Sequence, residues 1–303
     1  MELQQLRALL FVADTGSVTE AARRLLLTQP AVTRQIRALE AELGGALFDR
    51  TTKPLLPTPL GQAAVAQARR ILQISEDLRA LVHSNGGIPT GELRLGVVHS
   101  CARHAIPPIV HAMRHHYPGV QLRLTSSWSA ALKREVEEGL LDAAIVLTAP
   151  APSIPTGLEG LCVGTEPLTL IASTQTGLKG TVALEDLRGN VWVLSREGCG
   201  YRAVLKRTLE AADIPFTVAV EVLDVELQLQ LIAAGVGAGI MAVRALPPLP
   251  EEWGLHTFRL ADMPAALEVW LFHRRQGPLL PVVIPLIHRT VATLLQEAVS
   301  VSS

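Results

Sequence analysis

The chain lacks several features that would place it in a specialised class. Aromatic residues make up only 4% of its 303 residues, and cysteine occurs three times without a CxxC pair. A small, odd number of cysteines is typical of a reduced compartment. No apolar run approaches the roughly 20 residues that cross a membrane, and Met1 leads directly into a polar amphipathic segment without the pattern of a signal peptide. We therefore expect a cytoplasmic protein with no membrane partner.

An excess of charge of one sign is also absent. The formal net charge is −1, and residues 1–90 hold ten Lys/Arg against eight Asp/Glu. Bulk charge alone therefore does not indicate nucleic-acid binding, and any such affinity must depend on where individual cations lie. The hydrophobic content of 49% is ample for real cores, and the length fits two or three domains.

What is present first is a pattern of two short helices and a tight turn within Ser17–Phe48. Ser17 followed by Glu20 is a capping-box pattern, which predicts reciprocal bonds at the start of the first of these helices. Thr28 is a candidate cap of the second helix, with Pro30 in its first turn, where the missing amide has no cost. Four apolar residues of the second helix lie within about 40° of one another. They are Val32, Ile36, Leu39 and Leu43.

The opposite face of this second helix is polar. Arginine can bind guanine or a phosphate, and glutamine and threonine can donate to bases or backbone. Two short strands at residues 47–50 and 55–58 predict a wing with cations near its tip. The candidate DNA-binding residues are Thr28, Gln29, Pro30, Ala31, Thr33, Arg34, Arg37, Arg50 and Lys53. The alternative is an ordinary helical hairpin whose arginines are solvated.

Residues 1–58 resemble the winged helix-turn-helix of LysR-type transcriptional regulators. The matching strings are EAARRL at 20–25, TQPAVTRQIRALE at 28–40 and LFDRT at 47–51. The wing departs from the family pattern, because it closes with Pro57-Thr58 rather than Leu-Thr and has Pro54 in its tip. The resemblance implies a regulator that binds an interrupted inverted repeat in double-stranded promoter DNA and acts with RNA polymerase.

A long helix is predicted to follow, from the cap Thr58-Pro59 to about His83, within a linker at residues 59–90. Its apolar residues alternate at spacings of four and three, which is a heptad seam. They are Leu60, Ala64, Ile71, Ile74, Leu78 and Leu81. The seam can pack on its own domain or, as the resemblance implies, pair with a second subunit in a homodimer or homotetramer. Ser84–Gly87 is interpreted as a hinge.

From Gly91 onward strands alternate with helices, which predicts a parallel sheet with helical crossovers and an α/β fold overall. The strands are expected at 91–98, 120–125, 142–147, 168–173, 191–194, 216–223 and 266–273. The main helices are expected at 107–117, 130–139, 201–212, 227–234 and 281–298. Residues 91–303 resemble the family's two-lobed effector domain, which has the fold of type 2 periplasmic binding proteins. By that resemblance, lobe I comprises residues 92–163 and 266–303, and lobe II comprises residues 164–265.

A small-molecule effector is expected beyond the carboxyl ends of the strands, where helix N-termini offer free amides. The candidates are Ser100, Cys101, Arg103, Ser127, Ser129, Thr148, Gly198, Cys199 and Arg202. Ser100 and Ser129 match effector-contacting residues of relatives. Relatives that bind aromatic carboxylates place an arginine where this chain has Leu147, so Arg103 and Arg202 are the substitutes that we expect. The alternative for the serines is a role in caps and turns.

Other readings remain for particular residues. Cys101 and Cys199 are expected on opposite lobes, where a redox switch is conceivable, although small buried cysteines are common packing residues. His111 and His115 share a helix face and can hold a metal, but they are expected to face solvent. Neither GxSxG, HExxH nor a P-loop occurs, so no enzyme and no cofactor are expected. A solute-binding protein fused to a helical module is the alternative of a different class.

Overall fold

The computed structural model describes residues 1–83, 89–261 and 266–297. They form two compact units, one within residues 1–87 and the other mainly within residues 88–303. The hinge predicted at Ser84–Gly87 lies outside the described residues. None of the helices in the described ranges combines the length and the apolar composition that a membrane crossing needs.

The first unit is a three-helix module with a wing and a long fourth helix. Its helices are α1 (Leu3–Thr15), α2 (Val18–Leu25), α3 (Gln29–Leu43) and α4 (Pro59–His83). Strands β1 (Phe48–Asp49) and β2 (Leu56–Pro57) pair antiparallel and form the wing. The core contains Leu9, Val12, Ala21, Val32 and Leu39, so the apolar faces predicted for α2 and α3 meet α1.

The helix ends agree with the predicted caps except at one side chain. The Ser17 hydroxyl accepts a bond from the Glu20 amide at 3.3 Å. The reciprocal half of the capping box is not formed, because the Glu20 carboxylate binds Arg23 and Arg24 instead. These two hydrogen bonds hold the pKa of Glu20 at about 2.

Two further details concern α3. The Thr28 hydroxyl accepts a bond from the amide of Ala31, and Pro30 lies in the first turn, as predicted. Leu43, predicted on the buried face, is 41% exposed. It lies in the last turn, beyond the core of the module, where the helix ends at Gly44.

The apolar residues of helix α4 have different surroundings along its length. Val65, Ala68 and Leu72 are buried against the module, so one face packs on its own domain. On the predicted seam, Ile74 and Leu78 are each 64% exposed. The side chain of Leu81 lies outside the described residues. Ala64 and Ile71 of the seam are half-buried against the same core, so only its later part is open, and pairing through the seam stays a prediction.

The second unit contains the remaining helices and strands. Its helices are α5 (His99–His116), α6 (Ser129–Glu137), α7 (Gly200–Ala211), α8 (Val225–Ala233) and α9 (Leu280–Glu297). Its first strands are β3 (Gly91–Val98), β4 (Val120–Ser127), β5 (Ala143–Thr148), β6 (Leu158–Ser173) and β7 (Thr181–Val182). Its last strands are β8 (Val191–Leu194), β9 (Thr217–Glu221), β10 (Gly239–Ala242), β11 (Leu255–Leu260) and β12 (Ala266–Arg274).

The large sheet has the strand order β4-β3-β5-β12-β6-β11-β7, with β10 also paired to β6. Strands β4, β3 and β5 are parallel, as predicted. The prediction of a parallel sheet was wrong for β12, which runs antiparallel to both β5 and β6. Strand β12 enters lobe I from lobe II rather than through a helical crossover, so nothing forces it to be parallel.

Strand β6 is longer than predicted and extends through both predicted lobes. Its first part, to Pro167, pairs with β12, and the part from Leu168 pairs with β10 and β11. Only the apolar second part, residues 168–173, was predicted from sequence. The first part carries glycines and exposed polar residues, which hide it from a search for apolar runs.

Helix α5 begins at His99, eight residues before the predicted start. Pro107 and Pro108 lie inside it, whereas the helix was expected to begin at Pro107. A buried stripe of Cys101, Ala105 and Ile109 continues through this region. Packing of that stripe on the sheet offsets the lost backbone bonds. Ser100, Cys101 and Arg103 therefore belong to the first turns of a helix, not to a loop.

Candidate functional site

The polar face of α3 is open to solvent. Gln29, Pro30, Thr33, Arg34 and Arg37 line one shallow depression on the surface. Arg34 and Arg37 are exposed, and neither makes an ion pair within the described residues. Ala31 is half-buried beneath this face, and Thr28 caps the helix. The first two and a half turns of α3 therefore present polar and cationic groups that protein contacts do not use.

The wing lies beside the later turns of α3. The Asp49 carboxylate accepts bonds from the amide and the hydroxyl of Thr51, which lowers the pKa of Asp49 and closes the tip. Lys53 is exposed in that tip. Arg50 is also exposed, but its guanidinium donates to Glu40 of α3 at 2.7 Å. The two predicted wing cations therefore differ, because Arg50 has a protein partner.

In the second unit the two predicted lobes touch at the start of α7. A Cβ added at Gly198 would lie 3.3 Å from the Cβ and Cγ of Trp128, and one added at Gly200 would lie 3.3 Å from the Leu147 carbonyl oxygen. Trp128 also packs edge-on against His99, with ring centroids 4.9 Å apart. The structure thus brings the segments after β3, β4, β5 and β8 to one place.

A buried polar cluster lies behind this contact. The Glu166 carboxylate accepts bonds from the Nη1 of Arg244 at 2.8 Å and from the Arg244 amide at 3.2 Å. Burial raises the pKa of Glu166, and the Arg244 charge opposes that shift. Burial, with the charge of Glu166, raises the pKa of Cys101 to about 12. The Ser100 hydroxyl oxygen is buried and has no partner of ordinary hydrogen-bond geometry. It lies close to the Cys101 thiol, and this contact opposes the rise of the Cys101 pKa.

Several predicted effector residues make structural contacts. Ser129 is buried and accepts a bond from the Leu147 amide, while the Thr148 hydroxyl donates to the carbonyl of the next residue. Arg202 donates to the Ser195 carbonyl and pairs with Glu221 at 2.7 Å. Ser127 is half-buried and Arg103 is exposed. Of the two arginines expected to substitute for the arginine that relatives have at position 147, Arg202 is thus already engaged by Ser195 and Glu221.

Cys101, in the first turn of α5, and Cys199, directly before α7, are both buried. Burial raises the pKa of Cys199, and it raises that of Tyr201, which lies beside Cys199. Both thiols are therefore held protonated, whereas thiolate is the reactive form. In the described ranges no group of three or more His, Cys, Asp and Glu is arranged to hold a metal ion.

Some residues of the site were missed by the sequence predictions. Glu166 and Arg244 are 78 positions apart, and no local pattern joins them. The single local signal was a lone glutamate directly before the apolar run of β6. Trp128 and His99 were visible beside the predicted serines, but their ring contact depends on how α5 and α6 pack.

Two family profiles match the chain. "Bacterial regulatory helix-turn-helix protein, lysR family" matches residues 3–62. "LysR substrate binding domain" matches residues 86–294. The two matches coincide with the module that carries α3 and with the two-lobed α/β unit.

Named proteins with similar sequences are regulators. The transcriptional regulator CzcR of Bacillus anthracis is 28% identical over 277 residues, which are 91% of this chain and 92% of CzcR. The RuBisCO operon transcriptional regulator of Allochromatium vinosum is 26% identical, covering 93% of this chain and 92% of that protein.

Solved structures agree in fold. Full-length CbnR in complex with its target DNA has a TM-score of 0.64 and 26% identity, covering 96% of this chain and 100% of CbnR. A full-length OxyR variant from Pseudomonas aeruginosa has a TM-score of 0.73 and covers 96% of this chain and 94% of OxyR, at 22% identity.

Proposed function

Because the chain belongs to the LysR family of bacterial transcriptional regulators, we propose that it reads promoter DNA with the polar face of α3. The observation that carries this proposal is the solvent-open row of Gln29, Thr33, Arg34 and Arg37 along one depression. A helix held by its opposite face in this way is built to enter the major groove. Thr28, Pro30 and Ala31 place its first turn close to the DNA backbone, where amides of a helix N-terminus favour phosphate.

The wing supplies phosphate contacts beside the groove. Lys53 is exposed at the tip and Arg50 at its base. A phosphate contact adds affinity without sequence preference, so these cations fix the position of α3 on the duplex. The near-neutral charge of residues 1–90 means that one module alone binds weakly.

Pairing of two chains strengthens the binding. The exposed residues Leu60, Ile74 and Leu78 give α4 an apolar seam, and burying it against a second copy removes that surface from water. Two modules at a fixed separation match an interrupted inverted repeat. We propose a homodimer or a homotetramer at the promoter, with RNA polymerase as the further partner and the cytoplasm as the place of action.

The two-lobed unit converts a small molecule into a change at the DNA. The first turns of α5 and α6, the end of β5 and the start of α7 meet at the lobe contact, and these segments carry the proposed effector-binding residues. They are Ser100, Cys101, Arg103, Ser127, Ser129, Thr148, Gly198, Cys199 and Arg202. A ligand that binds one lobe angle better than another shifts the population of that angle. The buried, protonated thiols support neither catalysis nor the redox reading.

A mobility-shift titration on the DNA directly upstream of the protein's own gene tests the proposal. Arg34→Ala is expected to weaken binding about 10- to 100-fold, which is the range for one lost bidentate base contact. Arg7→Ala is the matched control, because Arg7 is an exposed arginine of α1. Equal binding of wild type, Arg34→Ala and Arg37→Ala would contradict the assignment of α3.

A further inference from the structure

One side chain of α3 makes contacts that the proposed DNA-binding set leaves unexplained. The Oε1 atom of Glu40 accepts a bond from the Leu47 amide at 3.0 Å, and its Oε2 atom accepts one from the Nη2 of Arg50 at 2.7 Å. The Glu40 side chain is 11% exposed, whereas that of Arg50 is 59% exposed. A largely buried carboxylate therefore links α3 to the residues at both ends of β1.

The wing beside Arg50 is short and only partly packed on α3. Strands β1 and β2 are two residues long each. Behind them lies a cavity of about 220 Å³, lined on α3 by Thr33, Ile36 and Glu40 and on the wing by Phe48 and Arg50. Packing between α3 and the wing is incomplete there. The Glu40–Arg50 pair is the polar contact at the edge of that gap.

The charge of Glu40 makes its position informative. A carboxylate near a DNA phosphate is unfavourable by Coulomb repulsion, so an acidic residue on this part of α3 lowers affinity unless it does something else. Arginine has five donors, and only one of those of Arg50 is bonded to Glu40. The other donors remain on an exposed side chain whose direction the carboxylate sets.

We propose that Glu40 is a positioning residue that aims the Arg50 guanidinium at a DNA phosphate beside the groove read by α3. The inference rests on the proposed function, in which Arg50 contacts phosphate. It adds that this phosphate contact depends on Glu40, an acidic residue of α3 that lies two turns after Thr33. Loss of Glu40 therefore weakens DNA binding, although it removes a negative charge.

The test is a double-mutant cycle in DNA affinity on the upstream region, with Glu40→Gln, Arg50→Ala and the double variant. Glutamine keeps an oxygen for the Leu47 amide and removes only the charge. Arg50→Ala is expected to weaken binding about 3- to 10-fold and to reduce the salt slope by about 1. Glu40→Gln is expected to weaken binding about 2- to 5-fold in the wild type and to have no effect when Arg50 is already alanine.

Glu42→Gln is the matched control. Glu42 is exposed on the same helix and pairs with the N-terminal amine, so its substitution reports the general gain from one fewer negative charge. Binding by Glu40→Gln that equals or exceeds that of Glu42→Gln overturns the inference. An equal loss with and without Arg50 also overturns it, because Glu40 then acts on the fold alone.

Failure of the proposed function is distinguishable. If Arg34→Ala weakens binding and Arg50→Ala does not, α3 still reads DNA, and Arg50 has no phosphate contact for Glu40 to position. If Glu40→Gln is poorly folded by its melting curve, Arg50→Lys replaces it in the test. Lysine keeps the charge but not the planar fork, so it is expected to lose most of what Arg50→Ala loses. Full affinity of Arg50→Lys then overturns the inference.

Discussion

The Arg244 guanidinium joins the Glu166 carboxylate to the last turn of the C-terminal helix. Its Nη1 donates to Glu166 at 2.8 Å and its Nη2 to the carbonyl oxygen of Leu295 at 2.5 Å. Arg244 directly follows β10, Glu166 lies on β6, and Leu295 belongs to α9. One largely buried side chain thus joins the end of β10 to β6 and to α9.

Removing one partner of this pair is expected to destabilise the second unit. Arg244→Met leaves a buried carboxylate unpaired, which costs about 3 kcal/mol, while Arg244→Met with Glu166→Gln costs less than the sum of the single changes. All four tryptophans lie after position 88, so denaturant unfolding followed by their fluorescence reports this unit. Additive losses in the cycle would show that the pair is not coupled.

The loss caused by Arg244→Met should depend on pH. Burial already raises the pKa of Glu166 and Arg244 opposes this, so removing Arg244 raises it further. A carboxyl whose folded pKa lies above its unfolded value takes up a proton on folding, and stability falls as the pH rises through that window. The penalty should therefore be larger at pH 8 than near pH 5. A penalty that is equal at both would contradict the burial of the charge.

Alkylation should distinguish the three cysteines. Cys162 is exposed, whereas Cys101 and Cys199 are buried. A rise of the Cys101 pKa from 9.0 to about 12 corresponds to about a thousandfold less thiolate. Iodoacetamide on the native protein, read by peptide mass spectrometry, should label Cys162 first. Rapid labelling of Cys101 or Cys199 would contradict this prediction and would support the hypothesis of a redox switch.

A methyl group at position 61 should disrupt the packing of the start of α4 against the backbone at Leu47. A Cβ there would lie 1.9 Å from the Leu47 carbonyl oxygen, so Gly61→Ala forces backbone apart and is expected to cost about 2–3 kcal/mol. Gly44→Ala is the comparison, because a Cβ at Gly44 meets nothing within 4 Å and suffers only the φ of +76°, a cost of about 1 kcal/mol. Hydrogen exchange of the amides in α1–α3 measures the loss of stability in each variant. Equal losses for Gly61→Ala and Gly44→Ala would contradict the prediction.

Leu26 occupies an unfavourable position in the turn before α3. Its φ is 55°, in the left-handed region, and its side chain is 92% exposed. Asparagine tolerates this conformation better, so Leu26→Asn should stabilise the module by about 0.5–1 kcal/mol. Leu27→Asn is the control, because Leu27 does not have a positive φ. Thermal melting of both variants, followed by helical circular dichroism, measures the change in stability. A lower melting temperature for Leu26→Asn than for the wild type would contradict the prediction.

Charge on the exposed seam of α4 should separate subunits. Ile74 and Leu78 are each 64% exposed, so Ile74→Glu with Leu78→Glu leaves the fold of one chain intact and makes paired burial of the seam unfavourable. Sedimentation should then give a smaller species and the mobility shift a weaker complex. Gln62→Glu, at an exposed position of α4, serves as the control. An unchanged mass would place the interface elsewhere.

The first module was the part best predicted from sequence. The caps at Ser17 and Thr28 and the wing strands were found because each depends on residues within about four positions. The burial of Leu43 and the partner of the Glu20 carboxylate were predicted wrongly. Whether a periodic leucine is covered, and which cation a carboxylate meets, depends on neighbours that the period does not describe.

The start of α5 and the direction of β12 show the limit in the second unit. Pro107 indicated a helix start, yet the stripe from Cys101 to Ile109 packs on the sheet and extends the helix past both prolines. The strand pattern of residues 266–273 was correct. Its antiparallel pairing with β5 and β6 follows from the route of the chain between the lobes, which no local pattern records.

The amino-acid sequence by itself determined most of the helices, the caps at Ser17 and Thr28, the polar face of α3 and the family, because these are local patterns whose energies come from neighbours along the chain. Only the tertiary structure decided which charges remain available. Arg34 and Arg37 are left open, Arg50 is held by Glu40, and Arg202 is bound within lobe II. Electrostatic partners are chosen by distance in space and by burial, and contacts such as that of Arg244 with Glu166 exist only after the chain has folded.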